Sequence, residues 1–255
     1  MFINNFDPVA FSLFTIDIRW YSLAYILGIL VGWFYIKNFL LNEPQLKKKF
    51  DDLISYIIIG IIVGGRLGYV LFYNFNYYLN NLFEIFFVWE GGMSFHGGLA
   101  GVIVGTYLYS KKQNINPFIF LDCISVAAPI GIFFGRIANF INSELYGKET
   151  YVPWGIIFEK VDNLPRHPSQ IYEAFLEGVF LFVILNILIK YNFLKRRGLL
   201  SSLFLILYST FRFISEFFRA PDPHLGYIIF NFSMGQILSF FLFAIGFILI
   251  FKNEK

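Results

Sequence analysis

The chain has 255 residues, 57% of them hydrophobic and 22% aromatic, with only 15% charged and a formal net charge of +3. A soluble domain of this length needs more charge on its surface, so the apolar side chains call for lipid as their solvent. Basic residues fall in short scattered clusters, which excludes nucleic acid as a partner, and the single cysteine, Cys123, excludes an internal disulfide framework and a multi-cysteine metal site.

The chain starts MFINNFDPVAFSLF, with no basic n-region and no small-residue cleavage site, so it does not read as a cleavable signal peptide. A membrane span needs about 20 mostly apolar residues. Seven are predicted, near 19–40, 53–74, 93–110, 117–135, 171–190, 199–217 and 234–252. The third, GGMSFHGGLAGVIVG, is short and glycine-rich. Lys47, Lys48 and Lys49 lie between spans one and two, and Lys111 and Lys112 between three and four. Lys190, Lys195, Arg196 and Arg197 lie between five and six, and Lys252 and Lys255 follow the last span. The segment FNYYLNNLFEIFFVWE between spans two and three has no Lys or Arg. Positive loops stay in the cytoplasm, which puts the N-terminus outside and the C-terminus inside. The expected fold is therefore an all-α integral membrane protein, one polytopic domain over 1–255. Residues 136–170 form a small extracytoplasmic cap that holds a strand-like run, YVPWGIIFE, and ends in NLPRHPSQ.

In this frame the polar residues of the spans gather toward the outer side. They are Tyr21, Arg66, His96, Arg136, Asn139, Tyr208, Arg212, Glu216 and Arg219, and the other two histidines, His167 and His224, also fall outside. A charge at the centre of a membrane helix costs about 2.5–3.5 kcal/mol on insertion scales. Several at one depth on different helices imply a shared polar cavity. Tyr208, Arg212 and Glu216 recur every four residues and share one helical face, as do Arg136 and Asn139. Bland readings stand beside this one. Arg219 fits equally a residue snorkelling to the headgroups, Tyr21 beside Trp20 fits an aromatic belt, and Glu216 fits a structural partner of Arg212 or Arg219. His96 also fits a packed polar residue with a backbone partner, and the glycines that flank it mark a close approach of some other group. Cys123 reads as a small buried residue.

Arginines in a partly desolvated cavity suit phosphate, because the guanidinium fork stays charged and presents paired donors. At the outer face of a membrane the natural phosphate is a phospholipid headgroup. Asn139, Tyr21 and Tyr208 can hold hydroxyls or ester carbonyls; His96, Glu144 and Glu216 offer acid–base or orienting groups. No metal-ligand spacing and no serine-hydrolase elbow is present, and no cofactor is expected. A transporter would extend its polar residues to the inner side and show repeat symmetry; a structural membrane protein has no use for His96 and several arginines at one depth.

The stretch GRIANFINSELYG, Gly135 to Gly147, resembles the signature of the bacterial phosphatidylglycerol–prolipoprotein diacylglyceryl transferases at every position. IRWYSLAY, GGRLGYVLFYN, GGMSFHGGL, HPSQIYEA, YSTFRFISEFFRAPD and FSMGQILS agree too, so the resemblance covers nearly the whole chain. It implies transfer of sn-1,2-diacylglyceryl from phosphatidylglycerol to the lipobox cysteine of a prolipoprotein, at the extracytoplasmic side of the bacterial inner membrane. It further implies catalytic roles for Tyr21, His96, Arg136 and Arg212. Phosphatidylglycerol would be held by Arg136, Asn139, Glu144, Gly147, Tyr208, Arg212 and Glu216, with Arg66 added from its depth in span two. The nucleophilic cysteine belongs to the substrate, so Cys123 need not act, and which group serves as base stays open.

Overall fold

The computed structural model describes residues 2–14, 16–221, 226–228 and 231–253; Asp222, His224 and Lys255, which the sequence reading used, lie outside the described residues. The helices in chain order are α1 (Trp20–Tyr35), α2 (Pro44–Phe72), α3 (Phe75–Asn80), α4 (Phe95–Lys112), α5 (Phe118–Ile141), α6 (Ser169–Glu173), α7 (Leu181–Lys190), α8 (Leu199–Ser215) and α9 (Met234–Asn253). The π-helical turns Ile36–Leu40 and Ala174–Phe180 extend α1 and join α6 to α7. Among the described residues, five helices are long and apolar enough to cross a membrane: Trp20–Leu40, Pro44–Phe72, Phe118–Ile141, Ser169–Lys190 and Met234–Lys252. Helices also occupy the third and sixth predicted spans. The sixth is a shorter apolar helix, Leu199–Ser215.

Two features depart from the expectation. The fold is mostly helical but not purely so. Strands β1 (Phe2–Asn4), β4 (Ile156–Phe158) and β5 (Pro165–Arg166) form a three-stranded sheet, and β2 (Val9–Leu13) and β3 (Ile16–Arg19) form a second. The run YVPWGIIFE does supply a strand, β4, which pairs in parallel with β1 at the start of the chain. Alternation is too short in these segments to signal pairing on its own. The second departure is at α5, which runs to Ile141, so Arg136 and Asn139 lie inside the helix and the connection to α6 starts at Asn142. The polar side chains lowered the local hydropathy and hid the last turns of the helix.

The chain divides into two compact units, residues 1–36 with 122–255 and residues 37–121. In the second unit α2 and α4 meet through glycines. A Cβ on Gly68 would lie 2.6 Å from Gly97 Cα, and one on Gly64 would lie 2.8 Å from Gly101 Cα. Small residues let helix backbones approach this closely in a membrane, where van der Waals packing replaces the hydrophobic effect. The glycine-rich third span is thus explained by its partner helix. In the first unit Gly28 of α1 faces α5 in the same way, with a Cβ 2.9 Å from Gly131 Cα. Helix α8 follows Gly198, which lies in the left-handed region at φ 82° and offers no side chain to cap it. Asp122 of α5 supplies one: its carboxylate accepts from Gly198 N (2.7 Å), Ser201 N (2.9 Å) and Ser201 Oγ (2.7 Å). Helix α9 starts with a reciprocal cap, Ser233 Oγ accepting from Gln236 N (3.3 Å) and Gln236 Oε1 from Ser233 N (3.1 Å).

Candidate active site

Arg136 of α5 projects into the first unit and meets two carboxylates that the sequence reading passed over. Its Nη1 lies 2.8 Å from Glu173 Oε2 and its Nη2 3.0 Å from Glu177 Oε2. Both glutamates are fully buried, one at the end of α6 and one in the π turn that follows. Arg212 of α8 closes the arrangement from the other side, with Nη1 2.7 Å from Glu173 Oε1 and 3.5 Å from Glu177 Oε1. A single carboxylate pair thus bridges the two arginines. A signal for it was present in IYEAFLEGVF, where two carboxylates four residues apart interrupt an apolar run. A charge inside a span is a functional candidate by default.

The stripe predicted on α8 exists. Tyr208 is fully buried, stacks on Phe204 at 5.7 Å, and lies within electrostatic range of Arg136, Arg212, Glu173 and Glu177. Arg212 Nη2 binds Glu216 Oε2 at 2.7 Å, and Arg219 Nη1 approaches the same oxygen at 3.8 Å. Glu216 Oε1 accepts from Ser233 Oγ at 3.0 Å, at the N-terminus of α9, where the helix dipole favours negative charge. Gly235 allows that approach, since a Cβ there would lie 2.9 Å from Glu216 Oε1. The three guanidinium charges of Arg136, Arg212 and Arg219 are therefore matched by Glu173, Glu177 and Glu216. The site carries a balanced, buried charge network rather than a free positive pocket.

The turn after α5 is strained around Glu144. Ser143 and Leu145 on either side have φ of 59° and 55°, in the left-handed region that side chains disfavour. Glu144 is held by both ends. Its carboxylate accepts from Asn139 Nδ2 and Asn142 Nδ2, each at 3.3 Å, and its carbonyl accepts from Gln170 Nε2 at 2.6 Å. Ser169 Oγ donates to Leu145 O at 2.8 Å. The HPSQ segment is thus a clamp on the signature turn, a role its sequence position did not reveal. Gly147 follows, donating to His167 O at 3.0 Å, while Lys148 N donates to Phe218 O at 2.9 Å. The cap closes over this point through Arg166, which bonds Asp162 and donates to Gly147 O at 3.3 Å. Hydrogen bonding from Arg166 holds the Asp162 carboxyl below its ordinary range. His167 is pushed below the ordinary imidazole value by burial and by the charge of Lys148.

Tyr21 lies in the first turn of α1, its hydroxyl 3.4 Å from that of Tyr25, which is within electrostatic range of Arg136 and Glu144. Arg66 and His96 belong to the second unit. Arg66 is buried and bonded throughout: Nε donates to Ile85 O (2.9 Å), Nη2 to Glu84 O (2.5 Å) and Nη1 to Gly91 O (2.5 Å), with its fork over the Tyr78 ring. These carbonyls hold the 82–92 connection, work that the depth of Arg66 in its span did not predict. His96 sits in the first turn of α4, half-buried, edge-on to Phe95 and next to the Ser94 cap. Cys123 is buried at 2% exposure, out of reach of any substrate.

The sequence model of the prolipoprotein diacylglyceryl transferase family matches residues 8–252. The chain belongs to that family. Its transferase relatives include the phosphatidylglycerol–prolipoprotein diacylglyceryl transferases of Rickettsia typhi and Rickettsia bellii. The first is 50% identical over 259 residues, all of this chain and all of the relative. The second is 49% identical over 257 residues, all of this chain and 98% of the relative. That of Rickettsia canadensis is 49% identical over 96% of each chain. In diacylglyceryl transferase terms, the signature arginine and asparagine sit on α5, and the glutamate and glycine on the turn it leads into.

Proposed function

We propose that this chain transfers the sn-1,2-diacylglyceryl group of phosphatidylglycerol to the lipobox cysteine thiol of prolipoproteins, the first step of lipoprotein maturation. Family membership over 8–252 carries the reading, and the buried pairing of Arg136 with Arg212 supports it. The thiolate sulfur attacks the glycerol carbon that bears the phosphate. The carbon–oxygen bond breaks, its electron pair stays on the phosphate oxygen, and glycerol phosphate leaves as the thioether forms. Arg136 and Arg212 meet the phosphate and stabilise the charge that develops on it. Asn139, Glu144 and Tyr208 order the headgroup, and Glu216, which Arg219 also approaches, holds Arg212 in place. Gly147 gives the turn its geometry. Tyr21 lies at the lipid end of the site. His96 takes the thiol proton or orients the thiol, whose ordinary pKa near 8.5 leaves little thiolate at neutral pH. Arg66 supports the site by fixing the connection that leads to the helix of His96.

In this reading the seven apolar helical segments all cross the bacterial inner membrane, with the N-terminus and the cap outside and the C-terminus in the cytoplasm. Lys47–Lys49, Lys111, Lys112 and Lys195–Arg197 fit that orientation. The test is transfer of labelled diacylglyceryl from phosphatidylglycerol to a lipobox peptide by purified protein. Arg212→Ala should abolish transfer and Cys123→Ser should leave it largely intact. A folded wild-type protein that leaves the peptide thiol unmodified defeats the reading, and loss of activity with Cys123→Ser in a normally inserted protein defeats the substrate-supplied nucleophile.

A further inference from the structure

We infer that Glu177 takes up a proton when a phosphate group enters the cluster, so that the buried charge stays balanced. This rests on the reading of Arg136 and Arg212 as the groups that meet the phosphate. The network holds three guanidinium charges against the carboxylates Glu173, Glu177 and Glu216, all buried. A phosphodiester adds one negative charge to a site that is already neutral. An uncompensated charge in such surroundings is strongly disfavoured. One carboxylate must therefore give up its charge, and geometry selects which.

Glu173 cannot easily do so. Its oxygens face guanidinium nitrogens, Arg136 Nη1 at 2.8 Å and Arg212 Nη1 at 2.7 Å. A guanidinium only donates, so a proton on either oxygen would point at a donor. Glu216 Oε2 faces Arg212 Nη2 at 2.7 Å, another donor-only group, and its other oxygen is taken by Ser233 Oγ at the N-terminus of α9. Glu177 is held more loosely, at 3.0 Å from Arg136 Nη2 and 3.5 Å from Arg212 Nη1. It also has a neutral neighbour. Ser215 Oγ lies 3.2 Å from Glu177 Oε1 and 3.0 Å from the Arg212 carbonyl oxygen. With Glu177 ionised, the hydroxyl donates to Oε1. With Oε1 protonated, the acid donates to Ser215 Oγ and the hydroxyl turns to Arg212 O. One hydroxyl rotor serves both states. The charged and titratable groups facing Glu177 are Glu173 on its own segment, Arg136 from α5, and Arg212 and Tyr208 from α8. The balance closes: three positive charges face three carboxylates before binding, and two carboxylates plus one phosphodiester after it. The proton comes from solvent.

The experiment is calorimetric titration of the purified protein with phosphatidylglycerol near neutral pH, in buffers of different ionisation enthalpy. About one proton should be taken up per lipid bound, because binding and protonation are linked. Glu177→Gln should bind the lipid with uptake near zero, and Ser215→Ala should reduce the uptake. Diacylglycerol, which lacks the phosphate, should cause none. Infrared difference spectra of the wild-type protein should show a protonated-carboxyl band on adding phosphatidylglycerol, so the outcome does not depend on a variant folding. Lipid binding without proton uptake and without that band overturns the inference and leaves the phosphate reading standing. Uptake that persists in Glu177→Gln also overturns it. Affinity for phosphatidylglycerol that survives Arg136→Ala combined with Arg212→Ala overturns the phosphate reading, and the inference with it.

Discussion

Gly147 stands where the turn after α5, the segment at His167 and the segment after α8 at Phe218 come together. A Cβ at that position would lie 2.6 Å from His167 Cβ and 2.8 Å from Phe218 O, while the Gly147 amide is already bonded to His167 O. Neither neighbour is the free end of a flexible chain. Gly147→Ala should therefore cost about 1–3 kcal/mol by overpacking, read as a lower midpoint in thermal unfolding, with transfer activity falling alongside. At this scale the sequence was uneven in what it disclosed. Arg136, Arg212 and Glu216 could be placed on common faces because helical spacing is regular. The pairing of the arginines with Glu173 and Glu177 could not, because it joins residues far apart in the chain, as the separation of 41 between Arg136 and Glu177 shows. Arg66 illustrates the same limit. A buried arginine in a span reads as a ligand group, and only coordinates reveal that backbone carbonyls use its donors.

Helix α8 carries Tyr208, Arg212 and the residues leading to Glu216, yet it starts at a glycine with no side chain to cap it. Its free N–H groups are satisfied by Asp122, 76 residues earlier than Gly198. Removing the carboxyl in Asp122→Ala leaves buried donors without an acceptor, at a cost of about 1–3 kcal/mol. Asp122→Asn keeps one acceptor and should cost less. Thermal unfolding of the two variants checks the order, and an equal loss would argue against capping. Hydropathy located the helices well because lipid contact demands long apolar runs. It failed at the end of α5 and at the short strands, where the deciding contacts are made with distant chain. The glycines of the third span are the intermediate case: their number told of a close approach, and the coordinates identify the partner as α2.

Across the molecule, the segment after α5 is tied to the signature turn through His167, and that histidine makes the tie depend on pH. The His167 carbonyl accepts from the Gly147 amide, its ring lies 5.3 Å from that of Phe218, and its Nδ1 lies 3.2 Å from Tyr172 OH. Burial and Lys148 keep its pKa below the ordinary imidazole value of 6.5, so the fold prefers the neutral ring. That contribution is complete above the ordinary value and is lost as the pH falls through the lowered one. The protection factor of the Gly147 amide, the ratio of intrinsic to observed exchange, should fall as the pH drops below the ordinary imidazole value, and His167→Gln should flatten the response. A profile unchanged by that substitution would remove His167 from the account. The parallel ladder between β1 and β4 has a consequence in time rather than in space. Phe2–Asn4 are the first described residues to leave the ribosome, and their partners Ile156–Phe158 are translated only after α1, α2, α4 and α5. The opening residues must wait unpaired until more than half the chain has been made, so the cap is finished late, and a bulky fusion ahead of Phe2 should slow its closure more than the insertion of any helix.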